Sequence, residues 1–214
     1  MQVVSVNVGM PREVEWKGMR VATSIFKSPV EGAIAVRSLN LAGDRQADLS
    51  VHGGPEKAVY AYSVEHYADW RAELPDVDLP MGMFGENLTI EGLSEDTLHI
   101  GDQLRIGSVL LMAVQPRVPC YKLQLRFGRD DILKRFLLSG RSGFYFSVVE
   151  EGELRVGESI EVVRRDPGAI SIGDINRLFL GRASPPDLLE RALNVAALPA
   201  SWHATLVERS QRGR

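Results

Sequence analysis

The cysteine of this chain, Cys120, stands in the stretch QPRVPCYKL with cationic neighbours on both sides. An unpaired cysteine is most often a buried apolar side chain, which is one interpretation here. Cations near a thiol favour the thiolate, the form that attacks electrophiles and binds soft metals. If Tyr121 is extended, Cys120 and Lys122 project to the same face. Gln115 and Arg117 add amide and guanidinium donors for a bound anion, so the stretch predicts a reactive thiol in a cationic pocket.

A second stretch, GDRQADLSVHGGPEKAVYAYS at residues 43–63, combines a glycine pair with a lysine. The glycines after His52 leave backbone amides unshielded, and Lys57 lies a few residues further on. Glycine turns beside a lysine suit an oxyanion or phosphate, although a plain turn feeding a strand explains them equally well. The four histidines form no H-x-x-x-H pair, so His52 is not predicted to bind a bare metal ion.

Two further stretches place polar side chains beside glycine. In GMFGENLTI, Gly85 permits a tight turn, Glu86 can carry a proton, and Asn87 can both donate and accept hydrogen bonds. The alternative is a bulge that opens a strand, with Glu86 solvated. In LLSGRSGFYF, Arg141 is flanked by small residues and can point into a pocket, or it is a surface arginine in a loop.

A mainly β fold is predicted to position these stretches. From residue 1 to about 165, short apolar alternating segments such as VVSVNV, AIAVRSL and LHIGDQLRIGSVLL are separated by glycine-containing turns. FYFSVVEEGELRVGESIEVV predicts a hairpin with EEG at its tip. Helices are predicted after Ser63 as N-cap and over Asp131–Leu138, the latter ended by Gly140. Because strands and helices do not alternate, a β-barrel with a few peripheral helices is favoured over an α/β sheet.

The composition changes after RRDPG at residues 164–168, and the remainder of the chain is predicted to be helical. Ser171 and Asp174 have the spacing of a capping box, SPPDLLERALNV predicts a second helix capped by Ser184, and SWHATLVERSQ predicts a third. Three short helices are not stable alone, so we expect them to pack on one another or on the barrel. The predicted domains are therefore a barrel over residues 1–165 and a three-helix domain over 166–214.

Composition argues against several classes of protein. The 214 residues include one cysteine, so an internal disulfide is excluded, and the net charge is −3. No basic stripe with interleaved aromatic residues indicates a nucleic-acid partner. No apolar run approaches the ~18 residues of a membrane span, and no signal peptide is recognisable. We therefore expect a cytoplasmic protein with neither a nucleic-acid nor a membrane partner.

Together the four stretches resemble the MOSC domain family, named for the C-terminal domain of molybdenum cofactor sulfurase. GDRQADLSVHGGPEKAVYAY, GMFGENLT, QPRVPCYKL and SGRSGFYFSVVEEGELRVGE occur in the order and spacing of its stand-alone bacterial YiiM-type branch. The helical tail resembles the three-helix segment of that branch. The resemblance implies a MOSC-type β-barrel whose pocket binds molybdenum cofactor, a pterin dithiolene that carries molybdenum and a phosphate.

The resemblance also implies roles for individual residues. Cys120 corresponds to the protein ligand of molybdenum, and Glu86 is the candidate for proton delivery at the metal. The residues assigned to the cofactor's phosphate and pterin, as cationic or amide partners, are His52, Lys57, Asn87, Gln115, Arg117, Lys122 and Arg141.

Members of this family reduce N-hydroxylated compounds, including hydroxylamino base analogues, to amines, which implies the same oxidoreductase activity here. One cysteine cannot hold an iron–sulfur cluster, so electrons are expected from a separate reductase. No pyridoxal phosphate is expected, because the domain that uses it in full sulfurases is not present in this sequence. The alternatives are a molybdenum cofactor carrier without turnover, a metal-free thiol enzyme, and a tail that contacts the electron donor or forms a homodimer.

Overall fold

The computed structural model describes residues 1–48 and 53–212 and shows a mainly β molecule with peripheral helices. The strands are β1 (Gln2–Val8), β2 (Arg12–Trp16), β3 (Met19–Thr23), β4 (Ser28–Pro29), β5 (Ile34–Val36), β6 (Val59–Ser63), β7 (Leu88–Glu91), β8 (Gln103–Ile106), β9 (Val109–Pro116), β10 (Phe144–Glu150), β11 (Gly152–Leu154) and β12 (Ile160–Arg164). The helices are α1 (Glu65–Glu73), α2 (Lys122–Phe127), α3 (Ile132–Ser139), α4 (Ile172–Phe179), α5 (Leu188–Leu193) and α6 (Ala200–Arg212), with a 3₁₀ helix at Pro55–Lys57. Within the described ranges, no helix is long and apolar enough to cross a membrane.

An eight-stranded sheet with the order β12-β8-β9-β10-β6-β7-β1-β4 forms the body of the molecule. The neighbours are antiparallel except β6 and β7, which run parallel. A parallel pair needs a crossover connection, and α1 lies in the segment that supplies it. Two small sheets, β2–β3 and β5–β11, complete the strands.

The mainly β class predicted from the sequence is confirmed, but the ladders of the large sheet do not close it into a barrel. Strand β12, at one end of the sheet, meets the start of β1, next to the other end, through a few backbone hydrogen bonds and an isolated bridge between Gln2 and Ser159. The amide of Val3 donates to the carbonyl of Glu158 (2.9 Å), and the amide of Ile160 donates to that of Met1 (3.0 Å). A register shift between Val3 and Ser5 interrupts the β1–β7 ladder, and such a bulge bends a strand. The start of β1 therefore turns toward the residues that precede β12.

The EEG hairpin predicted from the sequence is wrong. The strand β11 does come after that turn, but it pairs with β5 and not with β10. Glu151 alone connects β10 to β11, whereas a hairpin needs a loop of at least two residues. The chain therefore leaves the β10 ladder at this point, and β11 pairs with a strand distant in sequence.

The helix ends agree with the sequence in part. Gly140 ends α3 with a left-handed backbone, and Ser171 and Asp174 form the predicted capping box at the start of α4. Ser63 is not an N-cap, because it is the last residue of β6 and its hydroxyl donates to the carbonyl of Leu93. Ser184 is not one either, since α5 begins at Leu188.

The hydrophobic core is continuous from the sheet into the three C-terminal helices. Ile172, Ile175, Trp202 and Leu206 of these helices belong to the same buried cluster as Phe144 of β10. The tail therefore packs on the sheet, as expected from its short helices. A second, largely aromatic cluster fills the space between β6 and the helices α1 and α3.

Candidate active site

A cleft of about 600 Å³, counting its open mouth, gathers residues from distant parts of the chain. Five residues predicted for the site line it: Lys57, Asn87, Arg117, Cys120 and Lys122. Three of the four motifs therefore contribute predicted residues to one cleft.

The charge of the cleft is strongly positive. Its described lining contains five cationic side chains and a single carboxylate: Lys27, Arg45, Lys57, Arg117 and Lys122 against Asp44. The whole chain carries a net charge of −3, so this excess is local and not a general property of the surface. A concave site lined by charges of one sign concentrates ligands of the opposite sign. The cleft is therefore suited to an anionic ligand.

Arg117 is the most firmly held of these cations. Only 9 % of the residue is exposed, and its Nη1 donates to the carbonyl oxygen of Phe84. The guanidinium lies over the ring of Tyr60, 4.8 Å from the centroid. An arginine stays charged in proteins, and stacking on a ring fixes its plane. Arg117 therefore presents a preorganised positive charge to the cleft.

Cys120 lies at the turn that leads into α2, and it is partly exposed. Tyr121 is not extended, the condition under which Cys120 and Lys122 were expected on one face, since its backbone is helical (φ −55°, ψ −21°) and it is the N-cap residue of α2. The amide of Leu123 donates to the carbonyl of Cys120 at 2.9 Å, which forms the turn. Cys120 and Lys122 nevertheless both line the cleft, because the tight turn brings them to the same side.

A buried ion pair that sequence reasoning missed forms part of the lining. The Nζ of Lys27 contacts Oδ1 of Asp44, and their side chains are 9 % and 1 % exposed. Asp44 also accepts from the amide of Gly9 (2.8 Å) and from Nδ2 of Asn87 (2.9 Å). Burial, the largest influence, lowers the pKa of Lys27 below its ordinary value, with Asp44 opposing the shift. Asp44 lies in the motif GDRQADLSVHGGPEKAVYAYS, whereas Lys27 lies in none of the four motifs.

Glu86, predicted to carry protons, does not line the cleft. Its carboxylate is fully buried and accepts from the hydroxyls of Tyr67 and Thr89 (2.9 Å) and from the amides of Gly82 (2.8 Å) and Phe84 (3.1 Å). Burial raises the pKa of Glu86, and these hydrogen bonds oppose that effect. Glu86 therefore holds the loop over residues 80–89 together through these hydrogen bonds.

Two glycines allow that loop to approach the cleft wall. Gly82 and Gly85 both have positive φ angles, +83° and +79°. A Cβ on Gly82 would lie 3.0 Å from the carbonyl oxygen of Lys27, and one on Gly85 would lie 3.0 Å from Cγ1 of Ile25. Residues with a Cβ rarely adopt this backbone conformation, and a Cβ would also crowd the neighbouring atoms. Glycine is therefore required at both positions.

Gln115 and Arg141 were predicted to contact a cofactor, but the structure places both outside the lining. Arg141 pairs with Asp69 (3.3 Å) and Glu73 of α1, and its guanidinium lies 4.3 Å from the ring centroid of Trp70. Its charge is therefore used within the protein. Gln115 is buried beneath the cleft, where both ends of its amide bond to protein groups. His52 lies outside the described residues.

Two tyrosines that the sequence did not single out also line the cleft. Tyr60 and Tyr145 belong to the adjacent strands β6 and β10, and their ring centroids lie 5.0 Å apart. Burial, the largest influence, raises the pKa of both phenols above the ordinary value, so both are neutral at neutral pH. The hydroxyl of Tyr60 donates to the carbonyl of Ser142 (2.8 Å), whereas that of Tyr145 is suited to donate to a ligand.

Two known families match separate parts of the chain. Residues 48–161 match the MOSC domain family, and residues 170–213 match a family described as the YiiM-like, 3-alpha helix domain. The first match contains the motifs of Lys57, Asn87 and Cys120. The second covers the three C-terminal helices.

Individual proteins match over most of the chain. The protein YflK of Bacillus subtilis is 39% identical over 98% of this chain and 95% of its own length. A protein of Gibberella moniliformis named Reductase is 35% identical over 80% of this chain, which spans 31% of that longer protein. The crystal structure of YiiM from Geobacillus stearothermophilus superimposes with a TM-score of 0.80 at 34% identity, covering 97% of this chain and 98% of its own.

Proposed function

The chain belongs to the MOSC domain family, in the form that carries a YiiM-like three-helix domain, and we propose that it is a molybdenum-cofactor-dependent reductase of N-hydroxylated compounds. The observation that carries this proposal is a cleft with one thiol among five cationic side chains. A relative named Reductase matches most of this chain and supports an oxidoreductase class.

The residues of the cleft fit such a cofactor. Thiolates are the protein ligands that soft metals prefer, and Cys120 supplies a thiol at the cleft wall. A phosphate is bound by arginine and lysine side chains, and Arg117 and Lys122 are both buried and aligned along the lining. The hydroxyl of Ser24 also lines the cleft and is buried without a hydrogen-bond partner among the described residues. Buried polar atoms are normally satisfied, so this hydroxyl is available to a ligand.

When bound, the cofactor would supply a two-electron redox centre, and the protein would hold and orient it. Cys120 is the proposed metal ligand. Arg117, Lys122 and Lys57 are proposed to bind the phosphate, and the hydroxyl of Tyr145 to donate to the pterin or substrate. Asn87 acts indirectly, because its amide holds Asp44 and the backbone of β6 in place.

Reduction of an N-hydroxylated amine consumes two electrons and two protons and yields an amine and water. The electrons are proposed to come from a separate reductase, since one cysteine cannot hold an iron–sulfur cluster. Protons can be held in the cleft by the ammonium of Lys27 or Lys122 and by the phenols. The buried carboxylate of Glu86 is not proposed for this role.

Molybdenum content tests the proposal most directly. We expect near-stoichiometric molybdenum in wild-type protein from a host that makes the cofactor, and a sharp loss in Cys120→Ala, because the metal loses its protein ligand. Tyr121→Phe is the matched control: its side chain is an exposed neighbour, and its molybdenum content should equal that of the wild type. Elemental analysis measures all three.

Turnover is tested on the same samples with a chemical reductant and a hydroxylamino base analogue. Wild type should reduce it and Cys120→Ala should not. Molybdenum without turnover for any N-hydroxylated substrate would replace the reductase with a cofactor carrier. Full activity in cells unable to make the pterin cofactor would refute the proposal and favour a metal-free thiol enzyme.

A further inference from the structure

We infer that the three C-terminal helices help to shape the cleft, because Trp202 positions Lys57 by way of Gln115. The indole Nε1 of Trp202, on α6, donates to Oε1 of Gln115 on β9 at 2.6 Å. Nε2 of Gln115 in turn donates to the carbonyl of Glu56 at 2.7 Å. Gln115 is 4 % and Trp202 6 % exposed, so this chain of hydrogen bonds runs through the interior.

The indole of Trp202 supplies the second anchor of the Gln115 amide. An indole can only donate, so the carbonyl end of the amide faces it, and the carbonyl of Glu56 can only accept, so the amino end faces Glu56. The two contacts require the same orientation of the amide and hold it at both ends. Without the indole, Gln115 would be held only by the carbonyl of Glu56, and its side chain would be less fixed in position.

The peptide held by Gln115 leads directly into a residue of the cleft. The carbonyl of Glu56 and the amide nitrogen of Lys57 belong to one planar peptide group, so fixing one fixes the other. The 3₁₀ helix Pro55–Lys57 is a single turn, closed by the Lys57 amide on the carbonyl of Gly54 at 3.0 Å. So short an element is not stable by itself. Gln115 supplies an anchor from the sheet.

A second polar link joins the helices to another residue of the lining. Nδ2 of Asn176, on α4, donates to the hydroxyl of Ser142 at 2.9 Å. The carbonyl of Ser142 accepts from the hydroxyl of Tyr60 at 2.8 Å, and Tyr60 lines the cleft. Two of the three helices are thus connected to lining residues, α6 to Lys57 through Gln115 and Glu56, and α4 to Tyr60 through Ser142. Apolar packing alone would not require either link.

This inference rests on the proposed function only for the identity of the ligand that Lys57 contacts. The positioning itself is testable in cofactor-free protein by amide hydrogen exchange of residues 54–58. In Trp202→Phe we expect exchange there to become about fivefold faster, the size of effect that loss of one hydrogen bond produces. Gln115→Met should have the same effect.

A double-mutant cycle and a control for packing make the test specific. If Trp202 acts through Gln115, the amides of residues 54–58 should exchange no faster in the double variant than in either single variant. The two hydrogen bonds are connected in series, so the effects of removing them are not additive. Phe179→Leu perturbs packing against the same indole, whose ring centroid is 5.4 Å away, but leaves the hydrogen bonds intact. It should lower the melting temperature without changing exchange at residues 54–58.

The outcomes separate this inference from the proposed function. Unchanged exchange in Trp202→Phe, additive effects in the double variant, or equal acceleration in Phe179→Leu would overturn the positioning role. In cofactor-loaded protein, Trp202→Phe should also lose molybdenum faster than Phe179→Leu during dialysis. If the wild type never contains molybdenum while exchange behaves as expected, the proposed function fails and the positioning stands.

Discussion

The buried pair of Lys27 and Asp44 is the residue-scale feature that distinguishes this cleft from an ordinary cationic groove. Two charges removed from water are costly to keep, and each is tolerated because the other is present. Asp44 has further donors in Gly9 and Asn87, so its carboxylate is held from three sides. The pair therefore fixes one wall of the cleft and leaves the remaining cations in excess.

Removing one member of this pair should be strongly destabilising. We expect Lys27→Met to lower the free energy of unfolding by about 3 kcal/mol, because Asp44 is left buried without its cation. The double variant Lys27→Met with Asp44→Asn should recover much of this loss, since no uncompensated charge remains. Urea unfolding of the three proteins measures it. Equal stabilities for the wild type and Lys27→Met would show that the pair contributes nothing.

The lowered pKa of Lys27 also predicts a pH dependence. As the pH approaches the ordinary value of 10.5, the unfolded chain still binds a proton at Lys27 that the folded protein has begun to release. Stability rises with pH wherever the unfolded state binds more protons. The stability of wild type relative to Lys27→Met should therefore increase as the pH rises toward 10.5. A constant difference over that range would contradict the lowered pKa.

At the scale of elements, Arg141 connects the loop before β10 to helix α1. Its ion pairs with Asp69 and Glu73 and its stacking on Trp70 hold the helix over the aromatic cluster. The glycines near Arg141 led to the prediction of a guanidinium that points into a pocket, whereas the structure directs it toward α1. A local pattern cannot reveal which distant element its side chain meets.

Substitution of Arg141 should separate stability from cofactor binding. We expect Arg141→Ala to lower the free energy of unfolding by about 1–2 kcal/mol through the lost cation–π contact and partly exposed ion pairs. Its molybdenum content should stay at the wild-type level. Lys57→Ala, a substitution in the cleft, should show the reverse. Loss of molybdenum from folded Arg141→Ala would restore the role first predicted for it from the sequence.

Element pairing shows where sequence reasoning reaches its limit. The capping box at Ser171, the stop at Gly140 and the apolar face of α6 depend on neighbours within a few residues, and the sequence predicted them. The pairing of β11 with β5 and the placement of Gln115 depend on contacts between distant segments. The Lys27–Asp44 pair is of the same kind. Three of the motifs supply residues of the cleft. The hydrogen bonds within the cleft could not be predicted, because they join segments that only the fold brings together.

At the scale of the whole molecule, the shared core makes the helical segment inseparable from the sheet. Its buried residues include Ile170, Ile172, Ile175, Leu188 and Trp202. Burial of one large apolar side chain stabilises a protein by about 1.5–3 kcal/mol, and a whole domain has only about 5–15 kcal/mol in total. The helices contribute a part of the core that the sheet cannot replace.

Deletion of residues 168–214 should therefore abolish folding and not merely weaken an interaction. We expect a chain without cooperative thermal unfolding, measured by circular dichroism. Deletion of 210–214 alone is the control, because it leaves Trp202 and Leu206 in place, and it should unfold like the wild type. A stable 1–167 fragment that unfolds cooperatively and retains molybdenum would show instead that the tail is an appendage.

The hydrogen bonds that join residues 1–3 to residues 157–160 have a consequence for synthesis of the chain. The first strand leaves the ribosome early, but β7 and the residues before β12 emerge only much later. Contacts so distant in sequence slow folding, since a long loop must close before they form. Until then, the apolar side chains of β1, including Val3 and Val6, are exposed to other chains. Rapid translation through residue 160 should therefore favour the folded protein over aggregates.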